Sequence, residues 1–536
     1  MLSDLELIKR RYKKARAKAD LWISLLEACY HYAVPSRNLF YWTSQYQGAQ
    51  KNSRVFDTTA IAATKNFVAK IHNGLCPPQQ QWYLLEAGPD IEEDQREDAN
   101  KHLQHITDQI YYYLKKSNFD MAVNESFYDL AIGTAALICN PGPDADQPLE
   151  FYSTPLARIA IEETACNQLE TIFRWWDEIR IADIQQMWPQ ATLPQDVQSL
   201  FKEDENATLK DLIEGTVYNP KTKEYRYVVF YDNGYFVDEM RDDSPWIVFR
   251  WSKVNNEIYG RGPIIEALPS ILSLQEIYRI ELAAANFNIA KPYMAYSDGI
   301  FNPWTFNLQP NTIIPVAPNS SGQWPIQPFP DNTSPQFMQM TSFDLRQQIN
   351  NLMLGDPLTP VQGPTRTATE LALRQRNRLE EIGPTFTRLQ QEFLSKLLNR
   401  VVKLLQKQGL IEDFVIDGRK IQLSYSSPLA QQQGMQNVEK FMEYVQVLQA
   451  IQGPAEANVN FNQLYMPTWI REQMGVNPEL VNNEEEMKAN YEEMAQREEQ
   501  ERMAQMGQMQ QGQAPNPGVA NESQQPLSSA GLPGSI

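Results

Sequence analysis

The chain reads as mainly α-helical, with an α+β segment in its first half. Three observations carry that reading. Apolar residues recur at helical spacing over most of the chain, and between about Pro148 and Trp251 the period shortens to that of strands. Between Tyr259 and Gly409, two helices of equal length flank a proline-rich insertion. At 536 residues, with 42% hydrophobic and 21% charged side chains, the chain can bury several cores.

Residues 2–33 predict one helix, with seven basic side chains among the first twenty positions: Lys9, Arg10, Arg11, Lys13, Lys14, Arg16 and Lys18. Such a face is either solvated or a docking surface for an acidic partner. Asp57 to Gly74 is a second amphipathic helix, with Ile61, Thr64, Phe67, Val68 and Ile71 on one stripe, and Cys76-Pro77-Pro78 stops it. Helices over about Glu92–Lys116 and Phe119–Thr134 follow. Glu150–Tyr152, Arg158–Glu162 and Glu170–Trp176 then read as strands, and Ile181–Trp188 and Pro194–Lys202 as short helices. Tyr225–Tyr231 and Tyr235–Met240 flank Asp232-Asn233-Gly234, a hairpin turn signal, and Trp246–Trp251 is a buried strand.

The two equal helices are the most informative stretch. Pro269 opens the first, which runs to about Ala290. Pro335, after the caps Thr333 and Ser334, opens the second, which ends at Gly355. Legs of roughly 20 residues span about 30 Å, so the pair outlines a helical hairpin with a small domain at its tip, as in a channel subunit. That domain, Lys291–Ser334, has eight prolines and only three charged residues, Lys291, Asp298 and Asp331. Its aromatics, Tyr293, Tyr296, Phe301, Trp304, Phe306, Trp324 and Phe329, mark a compact unit, because disordered linkers are charged and poor in aromatics.

The Pro/Gly-rich loop Asp356–Arg366 follows: Asp356, Pro357, Leu358, Thr359, Pro360, Val361, Gln362, Gly363 and, at its end, Arg366. Thr367 and Glu370 then form a capping box for a helix to Gln408, with a kink expected at Gly383-Pro384. Phe386, Leu389, Phe393, Leu397, Val401 and Leu404 stripe its second half, and Gly409 ends it. Further helices are expected over Gln433–Gln452, Asn460–Met474 and Asn483–Gln508, before a Pro/Gly/Ser-rich tail from about 511 to 536.

A net charge of −19 argues against broad binding to phosphate backbones. No apolar run approaches the ~18–20 residues of a membrane helix; the best, Leu130–Cys139, contains Gly133. The N-terminus lacks the apolar core of a secretory signal. Cys29, Cys76, Cys139 and Cys166 are widely spaced, as in reduced, buried thiols. Gly260-Arg261-Gly262-Pro263 is a tight strand-to-helix turn with Pro at the first helical position, not a phosphate loop. His102 and His105 share a helix face but have no further metal ligands in a recognised pattern. No catalytic motif, metal site or cofactor site emerges.

Several stretches together resemble the portal proteins, the head-to-tail connectors of short-tailed bacteriophages. They are Asp57-Thr58-Thr59-Ala60 through Gly74-Leu75, Pro77-Pro78 and Trp82, then Glu257–Pro263 with Ala267-Leu268-Pro269. Arg366-Thr367-Ala368-Thr369-Glu370 with Gly383-Pro384 and Arg388-Leu389 is the most specific piece, and Ser427-Pro428-Leu429-Ala430 the weakest. Their order covers about residues 10–480.

The resemblance implies a portal fold in a ring, typically of twelve subunits, at one capsid vertex. Residues 1–262 would be the wing, 263–290 and 335–354 the stem, 291–334 the clip and 355–366 the tunnel loop. Residues 367–409 would be the kinked wing helix, 410–510 the crown and 511–536 a flexible tail. Double-stranded DNA would pass without sequence specificity, driven in by terminase and later ejected to a tail adaptor, both docking on the clip aromatics. Arg366 would make transient phosphate contacts or pair with a neighbouring subunit. Major capsid and scaffolding proteins, and internal core proteins at the crown, are the other implied partners. The location would be the virion's portal vertex, with assembly in the host cytoplasm and no membrane contact. The alternative is an internal virion or scaffold ring protein without a conduit; a DNA-processing enzyme is a distant third.

Overall fold

The computed structural model describes residues 4–40, 48, 50–91, 93–144, 146–163, 169–204, 206–232, 234–289, 293–295, 326–328, 335–354, 383–412, 414, 416, 419, 421–425, 428–453, 461, 465–474, 487–490, 492–494, 496–497 and 500. Helices predominate, and the sheets are antiparallel. The chain divides into two compact units, residues 1–432 and 433–536.

The first unit begins with α1 (Asp4–Asp20) and α2 (Ile23–Tyr32). The single helix expected over residues 2–33 is therefore two. The break at Leu21-Trp22 lets α1 lie on a sheet while α2 enters the main core, with the Trp22 ring 5.7 Å from that of Tyr259. Next come α3 (Thr59–Leu75), β1 (Tyr83–Ala87), α4 (Glu93–Lys116) and α5 (Phe119–Ile132). The α3 stripe Phe67, Val68 and Ile71 is buried as its periodicity predicts.

β2 (Thr134–Asp144) is the centre of a three-stranded sheet with β3 (Gln147–Thr154) and β9 (Trp246–Arg250), pairing Cys139 with Phe151 and Ala136 with Val248. Sequence reading missed β2. Thr134–Cys139 are buried on both faces, so the strand shows no alternation and merges with the apolar end of α5.

The second layer is a five-stranded sheet in the order β4 (Ile159–Glu163), β5 (Leu169–Arg180), β6 (Thr208–Asn219), β7 (Glu224–Tyr231), β8 (Gly234–Arg241). The β7–β8 hairpin forms where the Asp-Asn-Gly signal placed it, with Tyr231 opposite Gly234. α6 (Ile181–Met187) and α7 (Gln195–Glu203) cover one face through Ile184, Trp188 and Val197. Ile8 and Ala15 of α1 cover the other, against Phe173, Trp175 and Phe230.

Beyond β9 come α8 (Pro263–Ile289), β10 (Tyr293–Ala295), β11 (Ile326–Pro328) and α9 (Pro335–Leu352). A helix over 383–389 runs through a π turn, Gln390–Leu394, into α10 (Ser395–Lys407). β12 (Ile421–Tyr425) then returns to pair with β1, setting Leu85 opposite Leu423. The unit boundary falls inside α11 (Pro428–Gln452). Within the second unit, Phe441 meets Phe461 and Trp469 at centroid distances of 5.6 and 5.3 Å, and Asn437 donates to Gln473 of α12 (Tyr465–Met474) at 2.8 Å. Cys29, Cys76 and Cys139 are buried free thiols. Among the described residues no helix is long and apolar enough to cross a membrane.

Candidate functional site at the paired helices

The two legs form an antiparallel pair rooted in the main core. Their root is a corner of close backbone contacts. Gly262 N–H donates to Ile132 O at 2.7 Å, Gly260 N–H to the Thr134 hydroxyl at 2.7 Å, and Trp251 N–H to Gly133 O at 2.9 Å. A Cβ on Gly262 would stand 2.4 Å from Ala131 O, and one on Gly260 2.4 Å from Gly133 O, so only glycine fits at either place.

Pro263 takes the first helical position, where its missing N–H is no loss. Pro269, expected to open the helix, lies inside it instead. The helix starts six residues earlier because the glycine corner fixes its entry. Ile264, Ala267 and Ile271, buried in the core, hold the turn that Pro269 deprives of one hydrogen bond.

A buried clasp joins the two legs to α3. Gln275 of α8 accepts from the amides of Phe56 (2.7 Å) and Asp57 (3.0 Å) and donates to Asp57 O (2.7 Å). One Asp57 carboxylate oxygen accepts from Thr59 N–H at 2.8 Å, in the manner of a helix cap. The other accepts from Arg346 of α9, through Nε at 3.2 Å and an η nitrogen at 2.9 Å. Arg346 also bonds the Tyr278 hydroxyl and lies 5.0 Å from that ring's centroid.

At the far end of the root α9 closes earlier than expected. It stops at Leu352, and Leu354 adopts the left-handed conformation (φ 55°), while Gly355, expected to end the helix, lies outside the described residues. Lys70 of α3 donates to Leu354 O at 2.9 Å, which satisfies a terminal carbonyl.

Beyond Gln275 no described residue of α8 is buried, yet apolar side chains recur there between the charged residues Glu276, Arg279 and Glu281. Ile280 is 46% and Leu282 50% exposed, and Met340 of α9 is 68% exposed. Exposed apolar side chains in such number mark a surface that a partner covers. Both leg arginines are held by carboxylates: Arg279 bonds Glu276 through two nitrogens at 2.9 and 2.6 Å, and Arg346 bonds Asp57. The hydrogen bonds from Arg279 hold the Glu276 carboxyl below its ordinary range. The legs thus present acidic and apolar surface. β10 and β11 pair antiparallel, with Tyr293 opposite Pro328.

The helix over 383–407 is anchored to the same root. In its π turn Glu392 accepts from Arg250 N–H at 3.0 Å and from its guanidinium at 2.8 Å, and Phe393 meets Phe249 at 4.4 Å. Burial works against the Arg250 charge, but the bonds to Glu392 and Glu163 outweigh it and raise its pKa. Further along, Arg400 bonds Asp243 and donates to Cys139 O at 3.1 Å.

Of the residues singled out in the sequence, Gly260, Gly262 and Pro263 come together at the root, while Gly383 and Pro384 open the described part of the long helix. The irregularity described in that helix is the π turn, seven residues beyond Gly383. Asp356 to Gly363, Arg366, Thr367 and Glu370 lie outside the described residues, as do Tyr296, Phe301, Trp304, Phe306, Trp324 and Phe329; Tyr293 is described only as backbone in β10. Among the described residues no group of His, Cys, Asp or Glu could hold a metal; His102 instead contacts Glu412 at 3.0 Å. Sequence reasoning missed Asp57, Gln275, Arg346, Arg250 and Glu392. The available signal was a lone glutamine on the buried stripe of α8 and a lone arginine in α9.

Residues 5–481 match the family described as "Bacteriophage head to tail connecting protein". The chain is 23% identical over 508 residues to the "Probable portal protein" of Bordetella phage BPP-1, covering 89% of each. It is 20% identical over 523 residues to the "Portal protein" of Salmonella phage epsilon15, covering 91% of this chain and 90% of that one. A chain from a solved "Virion of native gene transfer agent (GTA) particle" is 12% identical, over 72% of this chain and 85% of that one. Its TM-score of 0.34 is too low to carry an argument.

Proposed function

This chain belongs to the bacteriophage head-to-tail connecting proteins, a family of structural, non-enzymatic virion components, and from that premise we propose that it is the portal of a short-tailed phage. Twelve copies form a ring at one capsid vertex. Terminase drives double-stranded DNA in through the ring, and the genome later leaves through it into a tail adaptor. The observation that carries the reading is the leg pair: two antiparallel helices, fixed at one end by a glycine corner and a buried clasp, and apolar but uncovered beyond it. Apolar surface of that kind is covered when neighbouring copies pack leg to leg around an axis.

In this reading residues 1–262 are the wing, the legs 263–290 and 335–354 the stem, and 291–334 the clip that meets terminase and adaptor. Residues 355–366 are the tunnel loop, 367–409 the wing helix, 410–510 the crown and 511–536 the tail. With Arg279 and Arg346 neutralised by carboxylates and a net charge of −19 per copy, the conduit repels DNA phosphates at close range. Salt screens that repulsion beyond about 8–10 Å, so DNA slides rather than adheres. Arg366 is the one tunnel-loop cation. Major capsid and scaffolding proteins surround the ring during assembly.

Negative-stain electron microscopy of the purified protein tests the reading. Axial views should show rings of about twelve subunits around an open hole. Monomers or closed particles at high protein concentration would refute it.

A further inference from the structure

We propose that the outward ridge of α1 docks on the acidic surface of a second copy of this chain, an inference that rests on the ring reading. α1 is seated on the five-stranded sheet through Ile8 and Ala15, which fixes the face it turns outward. Three of its seven cations are engaged within the chain. Lys9 reaches the Asp232 carboxylate at 3.3 Å, and Arg11 bonds Glu162 at 2.7 Å. Arg16 bonds Asp20 at 2.9 Å while its guanidinium lies 3.5 Å from the Trp175 ring centroid. Arg10, Lys13, Lys14 and Lys18 are exposed, and among the described residues none of the four forms an ion pair.

Leu7, Arg10, Lys14 and Lys18 follow one another at steps of three or four residues, so they form one straight ridge, and Leu21 stands just past its end. Its centre is basic and its ends are apolar, Leu7 being 48% and Leu21 82% exposed. Open grooves run along both halves. One, of about 910 Å³, is lined by Leu7, Arg10, Lys14 and Met240; the other, of about 480 Å³, by Lys18, Leu21, Trp22 and Leu25.

Two features favour a protein occupant over nucleic acid. A phosphate backbone asks only for cations and polar donors, whereas apolar anchors beside grooves are what a protein surface fills. The carboxylates of the larger groove are already paired, Asp4 and Asp238 with Arg226 and Glu162 with Arg11, so Arg10 and Lys14 are the cations it offers a partner, few for a phosphate track. Charge then selects the partner. α1 carries seven cations against Asp4, Glu6 and Asp20, so with that helix at +4 the rest of the chain stands at −23. A neighbouring copy is therefore the complementary surface that every ring brings alongside.

The test uses the full chain with Arg10→Glu, Lys14→Glu and Lys18→Glu combined, and separately Leu21→Ser. These positions are solvent-exposed, so far-UV circular dichroism and the melting temperature should match the wild type. In sedimentation velocity at about 0.05 M salt, the triple variant should need roughly tenfold or more protein to assemble. Near 1 M salt, where charges are screened within about 3 Å, the two proteins should converge. Leu21→Ser should weaken assembly at both salt concentrations. Carbodiimide coupling of mixed heavy- and light-isotope rings should join Lys14 or Lys18 to a carboxylate of another copy. Assembly of the triple variant at the wild-type concentration, or couplings within single copies alone, would overturn the proposal while leaving the ring intact. So would loss of DNA binding with unchanged assembly, which would make nucleic acid the occupant. A wild type that forms no ring in any salt would instead bring down the ring reading, and this inference with it.

Discussion

Replacing Asp57 by alanine should loosen both legs at their root. Its carboxylate has two separate tasks: capping the first turn of α3 through Thr59 N–H at 2.8 Å, and holding Arg346 of α9 through contacts at 3.2 and 2.9 Å. Loss of such a hydrogen bond costs about 1 kcal/mol. A charge-assisted hydrogen bond contributes about 1.5–3 kcal/mol, and the low end applies here because the Arg346 side chain is 31% exposed. The total of about 2.5–3 kcal/mol corresponds to roughly a hundredfold loss of protection if the leg opens locally. Hydrogen–deuterium exchange should show that loss in peptides spanning 343–352 and the first turns of α3, with the five-stranded sheet unaffected. Asp57→Asn keeps the capping oxygen and should lose only the Arg346 share. Exchange within twofold of wild type at 343–352 in Asp57→Ala would refute the clasp. So would an equal effect of the two variants, since the two tasks would then not be separable.

Other outcomes follow from the same geometry. Gly262→Ala forces a methyl to 2.4 Å from a backbone oxygen and should destabilise by about 1–3 kcal/mol, read as a lowered melting temperature; an unchanged one refutes the close approach. Glu392→Ala removes a carboxylate from the buried Arg250 and should cost about 3 kcal/mol in denaturant unfolding, whereas a loss under about 1 kcal/mol would show that the π turn does not anchor the long helix. At Asp243, burial pushes the carboxyl up, but Arg400 more than offsets this and holds it below the ordinary 3.8. Its stabilisation is therefore complete above pH 3.8 and disappears as pH falls through the lower folded value. Asp243→Asn should lower stability at pH 7 and flatten the acid limb of a melting-temperature profile, and an unaltered limb refutes the assignment. Deleting residues 296–325 should leave rings that no longer capture the adaptor; normal docking would refute the clip assignment.

The legible parts of this chain are those whose signals are local. The stripe of α3, the Asp-Asn-Gly hairpin between β7 and β8 and the Gly-Pro turn into α8 are each set by residues within a few positions of one another, whereas the legs, expected to be equal, are 27 and 18 residues long. Even the resemblance rests on short runs whose order, rather than whose contacts, carries the match. The sequence by itself thus determined the helical hairpin, the acidic character and the family.

What the tertiary structure decided is which distant residues meet. β1 pairs with β12 across more than three hundred positions, and β2 hides its strand character because both its faces are buried. Asp57 finds Gln275 and Arg346, and Arg250 finds Glu392, by no periodicity at all. Pro269 sits inside a helix because the glycine corner, ending at Gly262 seven residues upstream, fixes where that helix must start. Local propensity is worth a few tenths of a kcal/mol to about 3 kcal/mol per residue, proline being the extreme. A packed root with satisfied buried polar groups exceeds it, and the energy of that packing exists only once the distant segments are together.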